Sequence, residues 1–253
     1  MRAHLTPGAL AFGLLALGVN APIAADDWPA PVRALIDQGL EVHGTFDAPG
    51  GLTGFAASHQ GREMAVYLTA DGEHAVVGTL IDAEGNDLSE APLDELVRAP
   101  QEAGVWAQLE ASAWIADGSD DAARVLYTFT DPNCPYCRRF WETTRPWVEA
   151  GEVQLRHIMV GILQPDSPAK ASALLGADDP EAALHAHSGG DDIAPSAQPR
   201  DIEDKIYRNN QLFDELGLYA TPTSVFRHGD RLERVDGMPE EERLVEMMGG
   251  EAP

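Results

Sequence analysis

The chain has 253 residues, with 17 basic and 42 acidic side chains and a formal net charge of −25. That excess of carboxylates excludes nucleic acid as a partner, because binding it requires cations to neutralise phosphates. The 44% apolar fraction is that of an ordinary folded protein, and the carboxylates are spread along the chain, which favours a solvated acidic surface over an acidic client-selecting cleft.

Arg2 and His4 precede an apolar run from Ala9 to Val19, with Ala21, Ala24 and Ala25 after it. This is the pattern of a secretory signal peptide over 1–25, cut after Ala24 or Ala25. The run is shorter than the roughly 20 apolar residues of a membrane span. The acidic Asp26-Asp27 argues against the alternative, a buried first helix. No later stretch is a span candidate, so the mature protein is expected to be exported, soluble and periplasmic.

Residues 26–85 form a small α+β unit. A short helix is expected from Pro31 to Leu40, followed by β-like segments at 41–46, 52–57, 64–69 and 75–81. Turn signals at Pro49-Gly50-Gly51, Gln60-Gly61 and Asp71-Gly72 separate them. A core this small is marginal alone, and pairing an edge strand with a second copy would complete it, which predicts a homodimer. Residues 86–118 carry Leu93, Leu96, Val97, Val105, Leu109 and Ile115 among helix-favouring Ala, Glu and Gln. They predict a linker helix broken near Pro100, ending in a flexible boundary at Asp117-Gly118-Ser119-Asp120-Asp121.

From 119 to 253 strand and helix patterns alternate. A strand is expected at 124–130, a helix at 134–150 interrupted at Pro146, and an apolar strand at 153–163 buried on both faces. A helix over 167–187 carries the close pair His185 and His187, which are expected to face solvent. A surface loop spans 189–199, a helix runs from 202 to 216 with Gly217 ending it, a hairpin pairs 224–227 with 231–235, and a last helix covers 240–248.

The two cysteines of the chain lie in Thr130-Asp131-Pro132-Asn133-Cys134-Pro135-Tyr136-Cys137-Arg138, between the strand at 124–130 and the helix that follows. A helix N-terminus presents unpaired N–H groups and the positive end of the dipole, both of which favour a thiolate. Cys134 is therefore the candidate nucleophile and Cys137 the resolving thiol, with Pro135 and Tyr136 setting the poise. A bridge closing so small a ring is a poor structural staple, and a structural zinc site needs about four ligands, so no metal and no cofactor beyond the dithiol is expected. Thr221-Pro222 lies between a helix end and a strand. With this motif upstream a cis prolyl bond is expected there, presenting a backbone edge beside Cys134 to an extended client. Trp141 and Trp147 read as core residues.

Cys-Pro-Tyr-Cys alone is shared with glutaredoxins. Its extended setting, with Phe140-Trp141, Arg145-Pro146-Trp147-Val148, Gln154-Leu155-Arg156, Val160-Gly161, Pro165-Asp166-Ser167-Pro168-Ala169 and Thr221-Pro222, resembles the DsbC/DsbG family, and its DsbG branch in particular. The resemblance implies a mixed α+β and α/β architecture. Its C-terminal part would be a thioredoxin-like domain with a helical insertion, on a linker helix from a cystatin-like dimerisation domain. It further implies a V-shaped homodimer, kept reduced by an inner-membrane donor of the DsbD type, that isomerises wrong disulfides and reduces sulfenic acids on exported clients. The functional positions carried over are Cys134, Cys137, Thr221 and Pro222. Two other functions are weighed beside this one: a DsbA-like net oxidant, and a chaperone whose cysteines are incidental.

Overall fold

The structure is a computed structural model and describes residues 28–253; the expected signal peptide at 1–25 lies outside the described residues. The chain divides into two compact units, one ending at Val97 and one covering Arg98–Pro253.

The first unit is a helix, α1 (Ala30–Ile36), and a four-stranded antiparallel sheet of β1 (Glu41–Asp47), β2 (Thr53–His59), β3 (Arg62–Leu68) and β4 (Ala75–Val77), in that order. Both faces of the middle strands are covered, which is why β2 shows no polar alternation. Phe55, Ala57, Val66 and Leu68 pack with Val32 and Leu40 on one face. Ala56, Ala65 and Tyr67 pack on the other against Leu93 of α2 (Glu90–Leu93) and Val97. Gly54 is required in β2, since a Cβ there would sit 2.3 Å from the Phe46 ring. The fourth strand stops at Val77 rather than at 81, because Gly78 turns away at φ +152°.

The expected break near Pro100 is a π-helical turn, Asp94–Arg98, leading into α3 (Ala99–Ala111). Helix does not continue to 116, however. Trp114–Asp117 form a strand, β5, and Asp117 is fully buried instead of opening a flexible boundary.

The second unit is a five-stranded sheet in the order β5-β7-β6-β8-β9, built from β6 (Arg124–Thr130), β7 (Val153–Met159), β8 (Thr223–His228) and β9 (Arg231–Asp236). The central strand β6 is parallel to β7 and antiparallel to β8. Helices cover both faces, so the central strands are buried on both sides, with Thr128, Gln154 and His157 as buried polar residues among the apolar ones. Helices α4 (Pro135–Glu149) and α8 (Glu241–Met248) bury Phe140, Trp147, Leu244 and Met247 against Leu126, Leu155 and Phe226. On the other face α3 and α7 (Arg200–Glu215) bury Leu109, Leu212 and Phe213 against Tyr127, Phe129 and Ile158. Each such side chain contributes about 1.5–3 kcal/mol.

Three further elements differ from expectation. Pro146 does not interrupt α4: the carbonyl it leaves without a donor belongs to Glu142, which is exposed and open to water. The strand β7 ends at Met159, and Ile162 and Leu163 leave the sheet, half-exposed, with their N–H groups on the Asp131 carboxylate. The helix expected over 167–187 is two helices, α5 (Ser167–Leu175) and α6 (Pro180–Ser188); Asp179 caps the second by accepting from Ala182 N–H at 3.0 Å.

Candidate active site

Cys134 is the N-cap residue of α4, where the sheet's central strand hands over to the helix. Its backbone is extended at φ −86°, and its sulfur accepts the Cys137 N–H at 3.2 Å. Pro135 occupies the first helical turn, where its missing N–H costs nothing. The two thiols are free and buried, each 5% exposed, while Tyr136 between them is 58% exposed.

Thr221 is brought alongside by sheet register: β6 and β8 pair Phe129 with Thr223 just below the two loops. The Thr221–Pro222 peptide is cis, and the Cys134 thiol donates to the Thr221 carbonyl at 3.1 Å. The Thr221 hydroxyl is buried and makes no aligned hydrogen bond among the described residues.

These surroundings split the two sulfurs. A hydrogen bond from the Cys137 thiol, joined by the Thr221 side chain and the N–H groups of Cys137 and Tyr136, outweighs burial and brings Cys134 down to about 6. Burial, and then the neighbouring Cys134 sulfur, push Cys137 up well above an ordinary thiol. One sulfur is thus a thiolate at neutral pH and the other a reserved thiol.

Several residues that hold this geometry lie inside the motifs quoted above, but their role is not legible in the sequence. Asp131, three residues before Cys134, is 1% exposed. One of its oxygens accepts from Asn133 N–H and the Ser167 hydroxyl; the other accepts from Ile162 and Leu163 N–H. It thereby ties the active-site loop to the loop after β7 and to α5. Gly161 allows that approach, since a Cβ would meet Pro168 Cα at 2.5 Å. Asn133 also donates to Asp166 and accepts from Lys170 Nζ.

The histidines of α6 do not both face solvent. His187 is 7% exposed and its Nε2 donates to Pro132 O at 2.7 Å, while Nδ1 accepts from Ile193 N–H. His185 Nε2 donates to Asp117 at 2.8 Å and its ring meets Trp141 edge-on. Asp117 also receives both Arg145 Nη groups and His157 Nε2. Burial alone would raise its pKa, but the hydrogen bonds and charges of His157 and Arg145 hold the carboxyl well below the usual carboxylate range. Asp117, Glu181 and His185 have the donor atoms of a metal cluster, but the Asp117 oxygens already accept from Arg145, His157 and His185.

Residues 116–249 match the family model of the thioredoxin-like domain. The chain is 46% identical over 245 residues to thiol:disulfide interchange protein DsbG of Pseudomonas aeruginosa, covering 95% of this chain and 96% of that one. To the Escherichia coli protein of the same name it is 36% identical over 242 residues, covering 93% and 98%. Among solved structures, the catalytic domain of Proteus mirabilis ScsC aligns with TM-score 0.47 and 22% identity, covering 60% of this chain and 96% of that one. With relatives at these identities over nearly its full length, the chain belongs to the DsbG family of thiol:disulfide interchange proteins, oxidoreductases of the disulfide isomerase and reductase class.

Proposed function

We propose that the protein works in the periplasm as a homodimer, using Cys134 as nucleophile and Cys137 as resolving thiol to isomerise disulfides and reduce sulfenylated cysteines on exported clients. The observation that carries this reading is the division between the sulfurs: one held ionised at the mouth of α4, its neighbour buried and protonated. The Cys134 thiolate attacks a client sulfur and expels its partner. A second client thiol can then attack and leave a rearranged disulfide, or Cys137 can attack and release a reduced client. With a sulfenic acid, condensation expels water and Cys137 again releases the thiol.

The Thr221-Pro222 loop is the edge on which an extended client pairs, with Tyr136 and Tyr219, 58% and 76% exposed, as apolar neighbours in sequence. The Cys134–Cys137 disulfide formed in reduction would be reopened by an inner-membrane donor of the DsbD type. The signal-peptide pattern at 1–25 supports export. The free edge of β4, with Val76 and Val77 exposed, supports pairing of two copies. A Cys137→Ala variant expressed with its leader should accumulate mixed disulfides with exported proteins, and alkylation in whole cells should find Cys134 mostly as free thiol. A resting disulfide would favour a net oxidant, and no trapped clients would remove the assignment.

A further inference from the structure

Resolution requires Cys137 to lose a proton that burial makes hard to lose, and no solvent route is evident for a side chain 5% exposed. Beneath it lies a cavity of about 20 Å³, lined by Cys137, Thr130, Trp141, His157 and His187 among others. That volume is enough for one water. Trp141 Nε1, a buried donor on a residue lining this cavity, has no hydrogen-bond partner among the described residues.

Three titratable groups border the cavity besides the cysteines and Arg138, and two are unfit to take the proton. Asp131 already accepts four hydrogen bonds, three from backbone N–H groups. His187 Nδ1 accepts from a backbone N–H, a partner that cannot become an acceptor. His157 differs. It is 1% exposed, and because an ionised carboxylate only accepts, its Nε2 carries the hydrogen shared with Asp117 at 3.3 Å. Its Nδ1 is therefore the basic nitrogen, and it faces the Thr130 hydroxyl at 3.2 Å. A hydroxyl can donate on one side and accept on the other, so this contact can pass a proton. Asp117, ionised by Arg145 and also bonded to the partly exposed His185, would stabilise the resulting imidazolium.

We propose that His157, oriented by Asp117, receives the proton Cys137 sheds when it attacks the mixed disulfide, through the Thr130 hydroxyl and a single water seated in this cavity. The inference rests on the reading of Cys137 as resolving thiol. In the step, the Cys137–Cys134 bond forms and the Cys134–client bond breaks. The client sulfur takes the electron pair and leaves as thiolate, and the Cys137 proton ends on His157 Nδ1; over the two exchanges together the cysteine pair is oxidised, and the client disulfide reduced, by two electrons. The ionisable groups around His157 and the cavity are Asp117 from β5, Arg138, Arg145 and the two cysteines from α4, His185 and His187 from α6, and Asp131 from the loop after β6.

Stopped-flow reduction of the aromatic disulfide 5,5′-dithiobis(2-nitrobenzoate) by the full mature protein separates the steps. The first thionitrobenzoate reports attack by Cys134 and the second reports attack by Cys137. His157→Gln keeps a donor for Asp117 but cannot take a proton. It should slow the second release at least about tenfold near pH 7, with the deficit shrinking as pH rises toward ionisation of Cys137 itself. Thr130→Val should do the same, and Thr130→Ser should restore the rate. A second release within about twofold of wild type at every pH in His157→Gln overturns the proposal. If that variant does not fold, an unchanged second release in Thr130→Val overturns it instead. A wild type whose first release is no faster than that of Cys134→Ser sinks the underlying functional reading and is distinct from either outcome.

Discussion

The sulfur of Cys134 lies 3.1 Å from the carbonyl oxygen of Thr221, 87 positions later in the chain. Neither residue is placed by its own loop: the β6–β8 register places both, and the first turn of α4 then supplies the Cys137 N–H. The sulfur is therefore positioned by backbone that the sheet fixes before any client arrives, and the Cys137 N–H is the backbone group that favours its thiolate.

Alkylation of the reduced protein by iodoacetamide should rise with pH with a midpoint near 6 at Cys134, leaving Cys137 unmodified under native conditions. A midpoint at about 8.5, that of a free cysteine, would mean that the helix mouth does not stabilise the thiolate.

The same ionisation makes stability depend on pH and redox state. The folded pKa of Cys134 lies below its unfolded value, so its contribution is present above the unfolded pKa and is lost as pH falls through about 6. At about 1.4 kcal/mol per pH unit, lowering from 9.0 to about 6 is worth roughly 4 kcal/mol to the dithiol form. Denaturant midpoints of reduced and oxidised protein should diverge in favour of the reduced form between pH 6 and 9 and converge below. Parallel curves would contradict the linkage.

Thr221→Val should raise the Cys134 midpoint and make the disulfide less oxidising, because it removes the side-chain hydroxyl that helps to lower Cys134. Each tenfold change in the glutathione equilibrium is about 30 mV, and a shift of that order in the reducing direction is expected. An unchanged equilibrium constant would show that the Thr221 hydroxyl does not act on the Cys134 sulfur.

The cysteine pair, the late proline and the alternation of strand and helix were readable because local chemistry writes them: a β run, Cys-x-x-Cys, then a helical apolar stripe. The buried polar framework was not. Asp117 heads a run, Asp117-Gly118-Ser119-Asp120-Asp121, that reads as linker; only pairing of β5 with β7 buries it beside His157. Asp131 and His187 look like loop and surface residues, and their roles come from partners 31 to 55 positions away. Such long-range pairing leaves no periodicity. The ends of β4 and β7 are hidden because apolar residues continue past the point where hydrogen-bonding partners run out; the split of α5 from α6 is marked in the sequence by Gly176 and by Asp179-Pro180, which end one helix and start the next.

Asp117→Ala should cost about 3–5 kcal/mol, since it strips the counter-ion from Arg145 and the acceptor from His157 in a buried site. The depressed carboxyl contributes stability above its ordinary pKa of about 3.9 and loses it as pH falls through its much lower folded value. In thermal melts the wild type should hold its advantage over Asp117→Ala down to about pH 4 and lose it progressively below. Equal melting temperatures at pH 7 would mean that the network adds nothing.

The free edge of β4 gives the last test, of assembly. Val76 and Val77 are 59% and 49% exposed, and Ile81 just beyond is 62% exposed. In the sheet order β1-β2-β3-β4 the outer side of β4 has no strand partner among the described residues. An exposed apolar edge is an invitation to pair unless charge blocks it. A Val76→Lys, Val77→Lys double variant should therefore sediment as a monomer at concentrations where the wild type is a dimer. Reduction of a small aromatic disulfide should persist in it, because the cysteine pair and the Thr221-Pro222 loop lie in the unit from Arg98 onward, whereas refolding of a scrambled protein, which needs a client held through successive exchanges, should slow. A wild-type protein that sediments as a monomer would remove the dimer, and a charged variant that stays dimeric would move the interface away from β4.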